Sequence, residues 1–445
     1  MLRLIDKAAS QTIENLYNRI TGDEDARVCK EIPESACRHQ PHNFFAYLVA
    51  NLLGKTADEI ASAKLVLPWL FGSLGVPAAF TGFLVPIREA GVLLPQLVVA
   101  AVVRHLAIRK GVWLLGAVLT ALSLFGMAAA AWKLQGQAAG GAIILMLIMF
   151  SLARGLCSVA AKDVLGKTIS KSRRGMLMGW SASISGIAVL AVGIWLGLAD
   201  LSTAGVTAFA GLLMGGGLLW LLAAISFATI KEQPGATEGG GNALSVAVSN
   251  LQLLVHDLAF RRFVFARALL LAVGLAPPFY VLIAQQQGQS GLLGLGALII
   301  ANGLAASLSA PFWGYLGDKS SRYVMTLAAS GAGVLGVFTF FSITLDWSWA
   351  TGELGLAVVF MLLNIMHGGV RLGRKVYLVD MADDENRAAY VAVSNTVIGI
   401  VMLGGGLIGL IGDKLGAAAI VLLLGLLSLV AALYIRGLPE VTETE

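Results

Sequence analysis

The residues able to do chemistry in this 445-residue chain are the few titratable and amide side chains set in long apolar stretches. Arg88 and Glu89 are the sharpest pair. Glu89 precedes Arg104 by 15 residues, which is about 22 Å of helix at the usual rise per residue. A carboxylate there can bind a solute or carry a proton; alternatively, Arg88 and Glu89 form a turn facing water. His367, with Asn364 one turn before it, can titrate, or it can hydrogen-bond between helices. Gln96, Asn302 and Asn395, with Ser181 and Ser185, are polar positions able to line a cavity. Arg154 and Arg267 fall nearer one end of their stretches and read as cations reaching for lipid phosphates.

Other constellations carry less. Cys29, Cys37, His39 and His42 are zinc-ligand types, but seven residues separate the cysteines and Pro33 and Pro41 interrupt the segment, so no metal is expected. The three cysteines lack a disulfide framework's spacing and read as reduced. Gly331-x-Gly333-x-x-Gly336 and Gly404-x-Gly406-x-x-Gly409 match a dinucleotide fingerprint, yet both lie inside apolar stretches with no preceding strand, where glycines serve helix packing. There is no phosphate loop, His-Glu-x-x-His or Gly-x-Ser-x-Gly. The expectation is a protein that is not an enzyme and uses no cofactor.

The stretches that hold these residues set the class. The chain is 57% hydrophobic and 13% charged, with mean hydropathy +0.81, whereas soluble domains carry about 25% charged residues. Runs of about 20 apolar residues cross the bilayer as helices, since lipid offers no partner to exposed backbone groups. We expect an all-α membrane protein with twelve spans: 63–84, 87–104, 111–131, 141–161, 176–197, 205–229, 263–284, 292–316, 324–344, 354–371, 388–411 and 416–436. Thr56-Ala57-Asp58-Glu59 has capping-box spacing and opens the first of them. Prolines at Pro68, Pro77, Pro277 and Pro278 mark the first and seventh spans as bent, which points to a central pathway.

The expected organisation is an amino-terminal extension over 1–60 with a short amphipathic helix, a six-helix bundle over 61–230, and a linker with an interfacial helix over 231–262. A second six-helix bundle over 263–437 and a tail over 438–445 follow. Counting alternate connections places nineteen lysines and arginines on one side against three on the other. By the positive-inside rule both termini are then cytoplasmic, in a plasma (inner) membrane. The net charge of +5 is therefore topology, not nucleic-acid binding.

The chain also matches itself at an offset of 213: Arg109 meets Arg322, Gly155 meets Gly368, Lys162 meets Lys375, Arg174 meets Arg387, Ser181 meets Ser394 and Asp200 meets Asp413. Copies with an even number of spans share orientation, so these are parallel repeats about an axis along the membrane normal.

Gly314-x-Leu316-x-Asp318-x-x-x-Arg322 sits between two spans and resembles the loop between the second and third, or eighth and ninth, helices of the major facilitator superfamily. In the first half the acid's place is taken by His105, so the pattern there is degenerate. Arg154-Gly155 through Arg173-Arg174-Gly175 resembles that family's fourth helix and following loop, without its usual glutamine. The resemblance covers 63–436 and implies two six-helix bundles around a central cavity, moving a small solute by alternating access, coupled to a proton or another ion. It implies a gate of Gly314, Asp318, Arg322, Arg109 and Arg174, while Arg88, Glu89, Gln96, Asn302, Asn364, His367 and Asn395 are, as polar groups in apolar spans, the candidates for substrate or proton binding. The expected partners are a small-molecule substrate and membrane lipids, with the chain a monomer. The alternative is a transporter-shaped receptor or scaffold that handles lipids or pigments without moving them.

Overall fold

The structure, a computed structural model, describes residues 12–18, 34–94, 99, 103, 105–198, 205–235, 251–287, 292–382 and 387–441. Among them every regular element is helical, and nine helices are long and apolar enough to cross a membrane. The main elements are α1 Gln40–Ile60, α2 Val66–Ser73, α3 Ala78–Leu93, α4 Lys110–Lys133, α5 Gly136–Thr168, α6 Lys171–Leu198 and α7 Gly205–Ala228 in the first half. The second half holds α8 Leu258–Leu269, α9 Leu271–Leu275, α10 Pro277–Gln286, α11 Leu292–Gly317, α12 Ser321–Thr344, α13 Glu353–Met381, α14 Arg387–Gly405 and α15 Ile408–Arg436. Taken as α1 with α2, and α8 through α10 as one broken span, they give six spans per half.

The repeat is visible in packing. In the first half α4 lies along α5 and α7, and α3 along α5; in the second, α12 lies along α13 and α15, and α11 along α13. The halves meet where α6 packs on α11 and where α3 packs on α14 and the start of α15. These two seams are equivalent when the halves are exchanged. Small residues make the closest approaches. A Cβ at Gly336 would lie 2.8 Å from Gly425 Cα, and one at Gly82 would lie 2.5 Å from the carbonyl oxygen of Gly406.

Two boundaries differ from expectation. Residues 40–60 are not part of an extension: α1 packs against α6 and α7 and buries Asn43, Phe44, Tyr47 and Gly54. It is the first part of the first span, broken at 61–65 and resumed as α2. The chain then turns at Leu74–Pro77, with Gly75 at φ 64°, a left-handed backbone that suits glycine. Arg88 and Glu89 therefore lie inside α3, not in a turn. Thr56 opens no helix either; its hydroxyl donates to the carbonyl of Leu52 within α1, at 2.9 Å. The apolar signal was weak because Lys55, Asp58 and Glu59 interrupt α1. At the other end, Gly416 (φ 82°) breaks α15, so Ile408–Leu415 extends the eleventh span and Ala417–Arg436 forms the twelfth.

Of the extension expected to hold a short amphipathic helix, residues 12–18 are helical, and 1–11 and 19–33 lie outside the described residues. Tyr17 is buried against Phe44 and accepts from Gln40 Nε2 at 2.7 Å. Cys37 is disulfide-bonded, which corrects the expectation of three reduced cysteines, while Cys157 is a buried thiol. His42 Nε2 lies 3.1 Å from the Thr229 carbonyl at the end of α7.

Candidate functional site

The break between α1 and α2 sets three ionisable residues in the first half's wall, and α3 and α5 bring partners to them. Asp58 Oδ2 takes Arg154 Nε at 3.1 Å and Nη2 at 2.9 Å, with Arg88 Nη2 at 3.5 Å. Both guanidiniums are stacked as well, Arg88 on Phe150 with its Cζ 5.1 Å from the ring centre and Arg154 on Trp220 at 4.4 Å. Arg154 is thus fixed in the bundle and does not reach for lipid. Lys64 Nζ lies 3.6 Å from Glu89 Oε1, and these side chains are 32% and 46% exposed although the protein surrounds them deeply. Groups that are deep yet wet line a cleft. Glu59 is exposed beside them, and its side chain has no ion pair or hydrogen bond among the described residues. It lines a small, mostly apolar pocket with Thr56, Val189, Ile299 and Asn302, at the seam of α1, α6 and α11.

The second half's wall is α13. Asn364, His367, Arg371 and Arg374 recur at intervals of three and four, and so share one helix face. Their charges bear on the first half: Lys64 senses Arg371 and Arg374, Glu89 senses Arg374, and His367 senses Lys64. Asn364 Nδ2 donates to its own helix at Phe360, 2.9 Å away. Behind them, from α8, buried Arg267 donates to Ser394 Oγ at 2.5 Å and Asn395 Oδ1 at 2.8 Å. It too stays inside the protein. His367 occupies the position 213 residues after Arg154, so the internal repeat places a basic side chain at the cleft twice.

The structure therefore brings Arg88, Glu89, Asn302, Asn364, His367 and Asn395 to or near one cleft; Gln96 lies outside the described residues. Sequence reasoning passed over Asp58, Glu59, Lys64, Arg371 and Arg374. Asp58 and Glu59 were absorbed by the capping-box pattern, and the arginines were assigned to a loop that α13 instead runs through. The spacing from Asn364 to Arg374 was the available signal.

The cleft is closed at one end. On the side away from the 231–257 linker, Gln285 Nε2 donates to the Trp69 carbonyl at 3.2 Å and Ser73 Oγ at 3.0 Å, tying α10 to α2. Asp413 Oδ1 accepts from the Ala79 amide at 3.2 Å, at the start of α3. On the linker side no hydrogen bond between side chains of the two halves occurs among the described residues. There the described partners of the expected gate arginines Arg109, Arg174 and Arg322 lie within their own half. Arg109 pairs with Asp163, and Arg174 donates to the Ile169 carbonyl at 2.9 Å and the Gly166 carbonyl at 2.8 Å, closing the end of α5. Asp318 is exposed, and a side chain at Gly314 would meet nothing within 4 Å, so no close helix approach occurs at Gly314.

Two straps missed in the sequence hold these rims. Glu232, four residues past α7 and with a fully buried side chain, accepts from the Arg109 amide at 2.9 Å, the Lys110 amide at 2.7 Å and Lys167 Nζ at 3.1 Å. It seals the positive end of α4. Glu440, four residues past α15, lies 3.3 Å from Arg322 Nε and 2.6 Å from Ser320 Oγ.

The family model described as Major Facilitator Superfamily matches residues 48–351 and 268–445. The chain belongs to the major facilitator superfamily. It is a multi-pass membrane transporter of that superfamily, as the loop from Gly314 to Arg322 implied. No curated protein matches it. Similar solved structures include the nucleoside transporter NupG, 14% identical over 89% of this chain and 98% of that one, with TM-score 0.67. The inward open conformation of the xylose transporter XylE from E. coli is 15% identical over 89% and 96%, with TM-score 0.61. A POT family transporter in complex with 5-aminolevulinic acid is 12% identical over 88% and 95%, with TM-score 0.65. At such identities the likeness is one of fold.

Proposed function

We propose that this transporter, acting as a lipid-embedded monomer in the cytoplasmic membrane, carries a small solute through the cleft by alternating access, with Glu59 carrying a coupling proton. The observation behind this reading is a cleft sealed by Gln285, Asp413 and the Gly82 seam at one end, open at the other, with ionisable groups at its base. The linker side is the cytoplasmic one, since the lysines and arginines of the connections gather there. Arg267, Arg371 and Arg374 belong to the cleft and leave one side of that count, and Arg88 leaves the other, yet the bias survives without them. Asp58 is held by two guanidiniums, whereas Glu59 has no such partner among the described residues and can take or release a proton as each side opens in turn.

When the cytoplasmic side closes, Asp318 and Arg322 meet the first half's rim at Arg109 and Arg174. Gate residues act on the rate of switching and not on the solute itself, so Asp318→Asn lowers turnover while leaving binding intact; unchanged uptake would remove Asp318 from the gate.

The test is flux into proteoliposomes holding the purified protein under an imposed pH gradient, with pooled anions, sugars, amino acids and nucleosides. The expected result is accumulation that follows the gradient in the wild type. Glu59→Gln keeps solute exchange at equal pH but loses gradient-driven accumulation. Full accumulation in Glu59→Gln excludes Glu59 as the carrier, and Glu89→Gln is then the variant to measure.

A further inference from the structure

The walls of the cleft also bear on the class of solute, an inference that rests on reading the cleft as the transport path. The face of α13 opposite its polar stripe is closed: a Cβ at Gly369 would lie 2.6 Å from Trp313, and one at Gly373 would lie 2.7 Å from Met325. The stripe therefore turns inward, and arginine side chains on a helix lean toward its amino-terminal end, here toward the middle of the molecule. Five cations, Lys64, Arg88, Arg154, Arg371 and Arg374, lie around three acids, Asp58, Glu59 and Glu89, and a sixth, Arg267, lies near Arg374.

The pairing is uneven. Asp58 is occupied by Arg88 and Arg154, and Glu89 by Lys64. Among the described residues Arg371 and Arg374 have neither an ion pair nor a hydrogen bond, and Arg267 has only the neutral Ser394 and Asn395. Arg371 is exposed and Arg374 half-buried, so both guanidiniums are open to water and free to take an anionic ligand.

We propose that the cleft binds a small oxyanion, a carboxylate or a phosphate, between Arg371 and Arg374 on one half and Lys64 on the other. The planar guanidinium fork matches two oxygens of such a group, and the ammonium supplies a point charge from the facing wall. The same arrangement couples the ligand to movement. Closing the linker side expels water and brings Lys64 toward Arg371 and Arg374, like charges in a falling dielectric. An anion between them turns that repulsion into attraction, so the loaded cleft closes more readily than the empty one.

The experiment is equilibrium binding and thermal unfolding of the full chain in neutral detergent. The probes are inorganic phosphate, glycerol 3-phosphate, succinate, citrate, short-chain phosphatidylglycerol, a neutral sugar and lysine, at constant ionic strength. The expected result is saturable binding of at least one free anion, weakened on the order of tenfold or more by Arg371→Gln or Arg374→Gln. The lysine variants Arg371→Lys and Arg374→Lys keep the charge, and lose part of the affinity with the fork. The phosphate and carboxylate arms separate the two chemistries, and the phosphatidylglycerol arm separates a lipid headgroup from a free solute. Binding of the sugar or of lysine in place of every anion overturns the proposal, as does an absence of anion binding up to millimolar concentration, or full affinity in both glutamine variants. If the glutamine variants fail to fold, the wild-type panel and the lysine variants decide. Anion binding without flux in proteoliposomes removes the transport reading and leaves the site, whereas flux of a sugar or a cation does the reverse.

Discussion

At the scale of single residues, the cleft contains one tightly paired acid, one loosely paired acid and one without a partner. Asp58 takes three contacts from Arg88 and Arg154, and its loss leaves two guanidiniums facing each other across a partly buried space. Asp58→Asn is expected to lower stability on the order of 2 kcal/mol, read as a fall in the thermal unfolding midpoint in detergent; an unchanged midpoint would show the triad to be dispensable for folding. Arg88 and Glu89 were legible in the sequence because charge inside a hydrophobic run is conspicuous. Asp58 and Glu59 were not, since a helix that dips in hydropathy around a break looks like a surface helix. Lys64 sits in that break, three-dimensionally central although it lies between two apolar runs.

At the scale of elements, what decides the open and closed ends is how near two helices can come. Gly82 on α3 faces the Gly406 carbonyl at 2.5 Å and Gly409 Cα at 2.7 Å, measured from the Cβ it lacks, so backbone meets backbone there. Gly82→Val has no side chain to push aside and is expected to wedge the halves apart on the side away from the linker. Spin labels on the exposed positions Leu134 and Trp349, one in each half, should then report a longer distance than in the wild-type background; the same distance would mean that the seam absorbs a valine. The start of α8 gives a second measurement. Burial pushes the Asp257 carboxyl up, but bonds from the Phe260 amide, the Tyr390 hydroxyl and the Ala259 amide outweigh it and hold the group below the usual carboxylate range. A depressed carboxyl adds stability that is present above its unfolded value and is lost as pH falls through the folded one. Tyr390→Phe should therefore lower the unfolding midpoint at neutral pH by an amount that shrinks on acidification; a gap that persists below the carboxylate range would assign the effect to packing of Tyr390 on Phe260. From α4 to α12 the spans fall near their expected bounds, because each is largely one apolar run between charged turns, whereas α13 continues past 371 to Met381 because its arginines lie on one face of a continuous helix. The first span and its turn were displaced, because α1 carries its charges in the interior and the turn at Leu74–Pro77 carries none.

At the scale of the whole molecule, the offset of 213 residues was the most informative feature of the sequence, since with six spans in each copy it implied parallel halves. It did not indicate which face of each helix turns inward, and so could not assemble Lys64, Glu89, Arg371 and Arg374 into one site. Nor did it reveal the straps, which depend on where the chain goes after its sixth and twelfth helices.

Those straps bear on how the protein is made. Glu232 completes the hydrogen bonding at the start of α4 as soon as the residues following α7 have left the ribosome, and nothing in that closure requires the second half. The first bundle can finish its own assembly while the rest is still being translated, and Glu440 does the same service for the second at the end. The two halves should then tolerate synthesis as separate polypeptides cut between Gly235 and Leu251. Co-expressed fragments are expected to copurify and to restore flux, while Glu232→Ala should reduce the yield of the first fragment far more than that of the second.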